Sequence, residues 1–140
     1  GEVRVAGKNI QNKPWQIGID YPLTNTVPGE KIIGVVSLVD RSMATSGNYR
    51  NFYEFDKKKY SHILDPRTGY PIDSNIASVT VVAPLCMDAD AIATALSVMS
   101  LESGKVMVEE NEGIEAFWVL SENEKFRTVK SAGMSVNLLD

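Results

Sequence analysis

The chain has 140 residues, enough for one compact domain with its own core. Apolar residues make up 44% and charged residues 23%, which is ordinary for a globular protein and leaves no case for disorder. A net charge of −4 argues against a nucleic-acid surface, because phosphate binding needs clustered Lys and Arg.

Taken in chain order, residues 2–6 (EVRVA) alternate like a short strand, and residues 7–14 are turn-rich. Residues 15–20 (WQIGID) alternate again. Residues 21–30 (YPLTNTVPGE) carry two prolines, a glycine and an asparagine, and so predict a loop. Residues 31–39 (KIIGVVSLV) are β-branched and apolar, as in a buried strand. Residues 42–47 (SMATSG) are small and polar and carry no strand signal. Residues 49–55 and 59–64 read as two strands joined by an Asp56-Lys57-Lys58 turn. The basic run Lys57-Lys58-Lys59 is therefore expected to be a solvated hairpin. Residues 77–82 (ASVTVV) are a further strand, ended by Pro84.

The period then changes. Residues 88–99 (DADAIATALSVM) predict a helix buried on much of its surface, and residues 103–110 a second, more amphipathic helix. Residues 114–120 (IEAFWVL) return to strand, with 125–128 as the expected hairpin partner. Many strands, then two helices, then strands again argue for an α+β fold with a mixed or antiparallel sheet and two helices inserted late in the chain.

Cys86 is the single cysteine, so no disulfide forms within the chain and the redox compartment stays open. No apolar run approaches the ~20 residues that span a bilayer. The chain opens on Gly1-Glu2-Val3 without an initiator Met, as an excised or processed piece would.

Three constellations could carry chemistry. The first is His62, the single histidine, followed by Asp65-Pro66-Arg67-Thr68-Gly69. Asp bonds backbone amides two residues on, Pro fixes φ and Gly tolerates positive φ, so this is a tight turn. It would hold His62 at the end of a strand, where a histidine exchanges protons near neutral pH. The alternative is a partly buried histidine bonded to a backbone carbonyl. The second is Asp90 and Thr94, one helical turn apart on one face. Both offer hard oxygen atoms suited to Mg²⁺ or Ca²⁺, and two protein ligands plus substrate phosphates commonly hold Mg²⁺. The alternative is local: Asp88 caps the helix, Asp90 complements its N-terminus and Thr94 bonds back to a carbonyl. The third is Thr45-Ser46-Gly47-Asn48-Tyr49, where hydroxyls and a missing side chain admit a ligand close to the backbone, or simply form a loop. No Walker-type phosphate loop, G-x-G-x-x-G, H-E-x-x-H or C-x-x-C occurs.

The three occur together and in order. The run SGNYRNFYEFDKKKYSHILDPRTGYPI, followed by SVTVVAPLCMDADAIATALSVM, closely resembles the flavin transferases of the ApbE type. These are FAD:protein FMN transferases, long labelled thiamine biosynthesis lipoproteins. The opening GEVRVAGKN…KPWQIGIDYP resembles the segment that precedes these motifs in that family, so the likeness runs along nearly the whole chain. The resemblance implies cleavage of the FAD pyrophosphate and transfer of FMN onto a threonine hydroxyl of an acceptor protein, with release of AMP and with Mg²⁺ beside the pyrophosphate. It implies His62 as the base on the acceptor hydroxyl and Asp90 and Thr94 as metal ligands. Among cofactor-binding residues it implies Ser46 and Gly47 near the flavin, with Asp65 and Thr68 organising the catalytic turn. The implied partners are FAD and an acceptor such as a subunit of a respiratory flavin-dependent pump, with no nucleic acid.

Family members are usually about twice this length. The expectation is therefore one domain over residues 1–140, forming the C-terminal catalytic portion of a flavin transferase. The other half of the family normally supplies a glycine- and lysine-containing FAD-binding stretch and a backbone carbonyl ligand to the metal. The resemblance also implies a bacterial periplasmic or membrane-anchored lipoprotein. Two further readings remain: an FAD pyrophosphatase that makes FMN and AMP with water as nucleophile, and a non-catalytic flavin-binding domain.

Overall fold

The computed structural model describes residues 1–24, 26–48, 52–56, 58–123 and 125–139, with backbone only at 52–55, 58 and 59. In chain order these form β1 (Glu2–Arg4), β2 (Trp15–Asp20), β3 (Ile32–Leu38), β4 (Ser42–Gly47), β5 (Phe52–Phe55), β6 (Lys58–Ser61), β7 (Ile76–Ala83), α1 (Cys86–Val98), α2 (Leu101–Glu109), β8 (Glu115–Glu122), β9 (Lys125–Lys130) and β10 (Val136–Leu138). One sheet has the order β1-β4-β7-β8-β9, a second β10-β3-β2, and β5-β6 is a separate hairpin. Every pairing is antiparallel. This is the α+β arrangement expected, with both helices between β7 and β8.

β7 shows why the layers stack as they do. An antiparallel strand normally alternates between a buried and a wet face. β7 is buried at all eight positions. Val79, Val81 and Ala83 pack with Ala89, Ala93 and Leu96 of α1. Val82, on the opposite face, packs with Ile19 of β2 and Ile33, Val36 and Leu38 of β3. The five-stranded sheet is thus the middle layer, with helices on one face and the three-stranded sheet on the other. Trp118 and Phe117 of β8 divide in the same way between the two cores.

The structure corrects several expectations. Residues 42–47, small and polar in the sequence, form β4, inserted between β1 and β7. Their small side chains carry little strand propensity, yet Ala44 is buried beneath α1 in one core with Ala89 and Ala93. β3 is covered on one face only, and its Ser37 is exposed, because the three-stranded sheet is the outer layer. α1 starts at Cys86 and buries a single stripe of Ala89, Ala93, Leu96 and Ser97, while Met87 is 73% exposed. Leu85, not Asp88, occupies its N-cap, and no side chain caps it. α2 begins at Leu101 because Ser100 accepts the Ser103 amide at 3.2 Å. β10 carried no signal in the sequence; it pairs with β3, about a hundred residues earlier.

The predicted hairpin is present as β5-β6, with Asp56 at φ 49° in the turn. Residues 49–51 of its first strand, and Lys57 of the turn, lie outside the described residues, as do the side chains of Lys58 and Lys59. β6 ends at Ser61, so His62 is not a strand residue.

Candidate active site

β4 brings two hydroxyls to one end of the middle sheet, on opposite faces. Thr45 points towards the three-stranded sheet, and its Oγ1 lies 2.8 Å from Thr80 Oγ1 on β7. Ser46 points towards α1, and its Oγ lies 3.0 Å from Thr94 Oγ1. Thr94 donates to the Asp90 carbonyl at 3.2 Å, the back-bond that the local reading of this pair expected. That bond uses the hydroxyl proton and leaves the oxygen lone pairs for Ser46 or a cation. Asp90 stands one turn earlier on the same exposed face of α1.

Beyond β6 the chain makes its own scaffold. The Asp65 amide bonds the Tyr70 carbonyl at 2.9 Å, and the Ile72 amide bonds the Ile63 carbonyl at 3.0 Å. The Asp65 carbonyl accepts the Gly69 amide at 2.7 Å. Gly69 has φ 73°, which a side chain would oppose. Arg67 clamps the Asp65 carboxylate as a fork, with Nε at 2.9 Å and Nη2 at 2.7 Å, and the Arg67 amide adds a third bond at 2.9 Å. These bonds to Arg67 hold the Asp65 carboxyl below its ordinary value. The Thr68 hydroxyl accepts the Tyr70 amide at 3.2 Å. Asp65 and Thr68 therefore build the turn, and neither lines the adjoining cavity.

That cavity has a volume of about 840 Å³ and lies where β1, β2, β4 and the segment after β6 converge. Such a volume is in the upper part of the roughly 300–1,000 Å³ range of small-molecule sites. His62, Ser46, Gly47 and Thr94 all line it, so four of the seven residues singled out from the sequence share one wall. Asp90 does not line it. Glu2 and Asp20 do, and sequence reasoning passed over both. For Asp20 the available signal was an acid ending an alternating strand just before a Pro- and Gly-rich loop. Its Oδ1 accepts the Gly29 amide at 3.0 Å, tying that loop to β2.

A family model described as ApbE family matches residues 1–118. The chain belongs to the ApbE family. It is 40% identical over 133 residues to the FAD:protein FMN transferase of Haemophilus influenzae, covering 94% of this chain and 37% of that protein. The Escherichia coli K12 protein of the same name is 38% identical over 128 residues, covering 91% and 35%. Among solved structures, the flavin transferase ApbE from Vibrio cholerae matches with a TM-score of 0.76 at 36% identity, over 94% of this chain and 40% of that one. The apbe protein of Thermotoga maritima gives 0.76 at 32% identity with the same coverage. The chain thus spans little more than a third of the length of these curated relatives.

Within this ApbE-family chain, the residues can be tested against a Mg²⁺ ion. No group of three or more His, Cys, Asp or Glu gathers among the described residues. Mg²⁺ does not need one, because it keeps waters and takes phosphate oxygens beside one or two protein ligands. The hard oxygens of Thr94, Ser46 and Asp90 fit that pattern.

Proposed function

We propose that this chain forms part of an enzyme that moves FMN from FAD onto a threonine hydroxyl of an acceptor protein and releases AMP. The observation that carries the reading is the convergence of His62 with the Ser46–Thr94 hydroxyl pair on one cavity. The relatives named FAD:protein FMN transferase support the reaction class.

His62 is exposed at the cavity wall, where an incoming hydroxyl can reach it. It takes the proton of the acceptor threonine as the threonine oxygen attacks the FMN-side phosphorus. The bond from that phosphorus to the bridging oxygen breaks, AMP leaves with the bridging oxygen, and the proton passes from His62 to solvent. One such base contributes about 10²–10⁴-fold. Gly47 leaves room for the flavin against β4, and the turn built by Asp65 and Thr68 holds the rim that carries His62. Asp90 and Thr94, with Ser46 beside them, would hold Mg²⁺, which when bound neutralises charge on the pyrophosphate oxygens. By family resemblance, the proposed setting is the bacterial periplasm or membrane surface, with a respiratory flavin-pump subunit as acceptor.

The test is an intact-mass spectrum of the soluble flavin-carrying domain of such a subunit, after incubation with the full-length protein, FAD and Mg²⁺. A gain of one FMN less water is expected, abolished by EDTA and by His62→Ala. Free FMN and AMP without a mass gain would replace this reading by the FAD pyrophosphatase. Equal loss of FAD binding and of transfer in His62→Ala would remove the base role.

A further inference from the structure

Glu2 lines the cavity, and the transfer step as described gives it no task. It is exposed, and among the described residues no hydrogen bond or ion pair engages its carboxylate. The register fixes its face. Glu2 pairs with Ala44, and Arg4 pairs with Ser42. Paired residues share one face of a sheet, and so do residues two apart along a strand. Ala44 is buried against α1, and Arg4 donates to the Pro84 carbonyl just before that helix at 3.0 Å. Glu2 therefore lies on the helix side of the sheet, with Ser46 and Thr94, and α1 also packs against β1. Its level follows from the course of α1, which starts beside the Ser42–Ala83 pair and reaches Ser46 at Thr94. Asp90 is about 6 Å back along the helix from Thr94. Ala44 is about 7 Å back along β4 from Ser46. Asp90 is thus near the level of Ala44, and so of Glu2 on the edge strand. Two carboxylates stand beside the hydroxyl pair, one carried by α1 and the other by β1.

We propose that Glu2 belongs to the cation site as a positioning residue, its carboxylate accepting hydrogen bonds from waters carried by the Mg²⁺ ion. The inference rests on the transfer reading above and adds a residue to the site that Asp90, Thr94 and Ser46 would form. Mg²⁺ keeps several waters when one or two carboxylates and phosphate oxygens hold it. Acceptors around such a shell orient it, and losing one typically costs about 10–100-fold in metal affinity. The charge of Glu2 also has a consistent sign only with a cation present. Beside bare pyrophosphate oxygens a carboxylate is repelled, whereas beside a hydrated dication it is attracted. Glu2 thereby favours FAD that arrives with its metal over FAD without it.

The test uses Mn²⁺ as the probe, titrated into the full-length protein with FAD present and His62→Ala as background, so that transfer does not consume the FAD. Electron paramagnetic resonance reads the free Mn²⁺. Adding Glu2→Gln should weaken Mn²⁺ binding by about tenfold or more. FAD affinity in EDTA, read by flavin fluorescence, should be unchanged or tighter in Glu2→Gln, because a repelling charge has gone. An unchanged Mn²⁺ affinity in Glu2→Gln would overturn the proposal. Thr94→Val in the same background then separates it from the reading beneath. Weaker Mn²⁺ binding there leaves the cation site of that reading standing without Glu2, whereas no loss in either variant removes the site itself. Weaker FAD binding by Glu2→Gln in EDTA would also overturn the proposal, since Glu2 would then be holding hydroxyl groups of the FAD.

Discussion

Ser46, near the end of β4, and Thr94, two turns into α1, are 48 residues apart in the chain, and their hydroxyl oxygens are 3.0 Å apart. The contact follows from the order of the elements. β4 pairs with β7, and α1 leaves the end of β7 and folds back over both strands. A threonine at the start of the third turn of α1 then hangs over the end of β4, at the wall of the cavity that His62 shares.

If this pair helps to hold a cation, Thr94→Val should raise the Mg²⁺ concentration needed for half-maximal FAD cleavage by about 10–100-fold in the full-length protein. Thr94→Ser keeps the oxygen and should stay near the wild type. Thr94 is exposed, so thermal unfolding should report a change of no more than about 1.5 kcal/mol. A Mg²⁺ response that is the same in Thr94→Val as in the wild type would exclude the ligand role.

Asp65 gives a pH-dependent prediction. Its hydrogen bonds with Arg67 lower the folded-state value below 3.8. The ionised form is thus favoured in the folded turn. Its stabilisation is complete above that ordinary value and fades as pH falls through the lower folded one. Urea midpoints of wild type and Asp65→Asn should differ at neutral pH and converge in acid below 3.8. A gap that stays constant through the acid range would show that the fork does not depend on the charge.

Thr45 and Thr80 make the opposite kind of pair, with Thr80 fully buried. Removing the Thr45 hydroxyl strands the buried one of Thr80, so Thr45→Val should cost about 1–3 kcal/mol in denaturant unfolding. Thr45→Val/Thr80→Val together should recover most of that loss, because no orphaned hydroxyl remains. Additive single costs would show that the hydroxyls do not act as a pair.

Much of the fold was legible in local pattern. Residues 15–20 alternate and form β2 to the residue, and the Ala-rich run after Pro84 is α1. Asp65-Pro66-Arg67-Thr68-Gly69 makes the tight turn its chemistry implies, since each of its bonds is to a neighbour. β4 was illegible because small polar residues acquire strand character only from the strands on either side. β10 was illegible because its partner lies far back in the chain. His62 was placed in a strand by its flanking residues, whereas the turn's own bonding displaces the ladder after Ser61.

The sequence by itself determined the α+β class, the rigid turn after His62 and the family to which the chain belongs, because these rest on periodicity and on residues close together in the chain. Only the tertiary structure decided that Ser46 meets Thr94, that Asp20 and Glu2 join His62 on one cavity, and that Asp65 and Thr68 do not line it. Those relations depend on which sheet edges and helix faces come together. That outcome is set by burying two separate cores against the two faces of β7 and β8, and no local stretch encodes it.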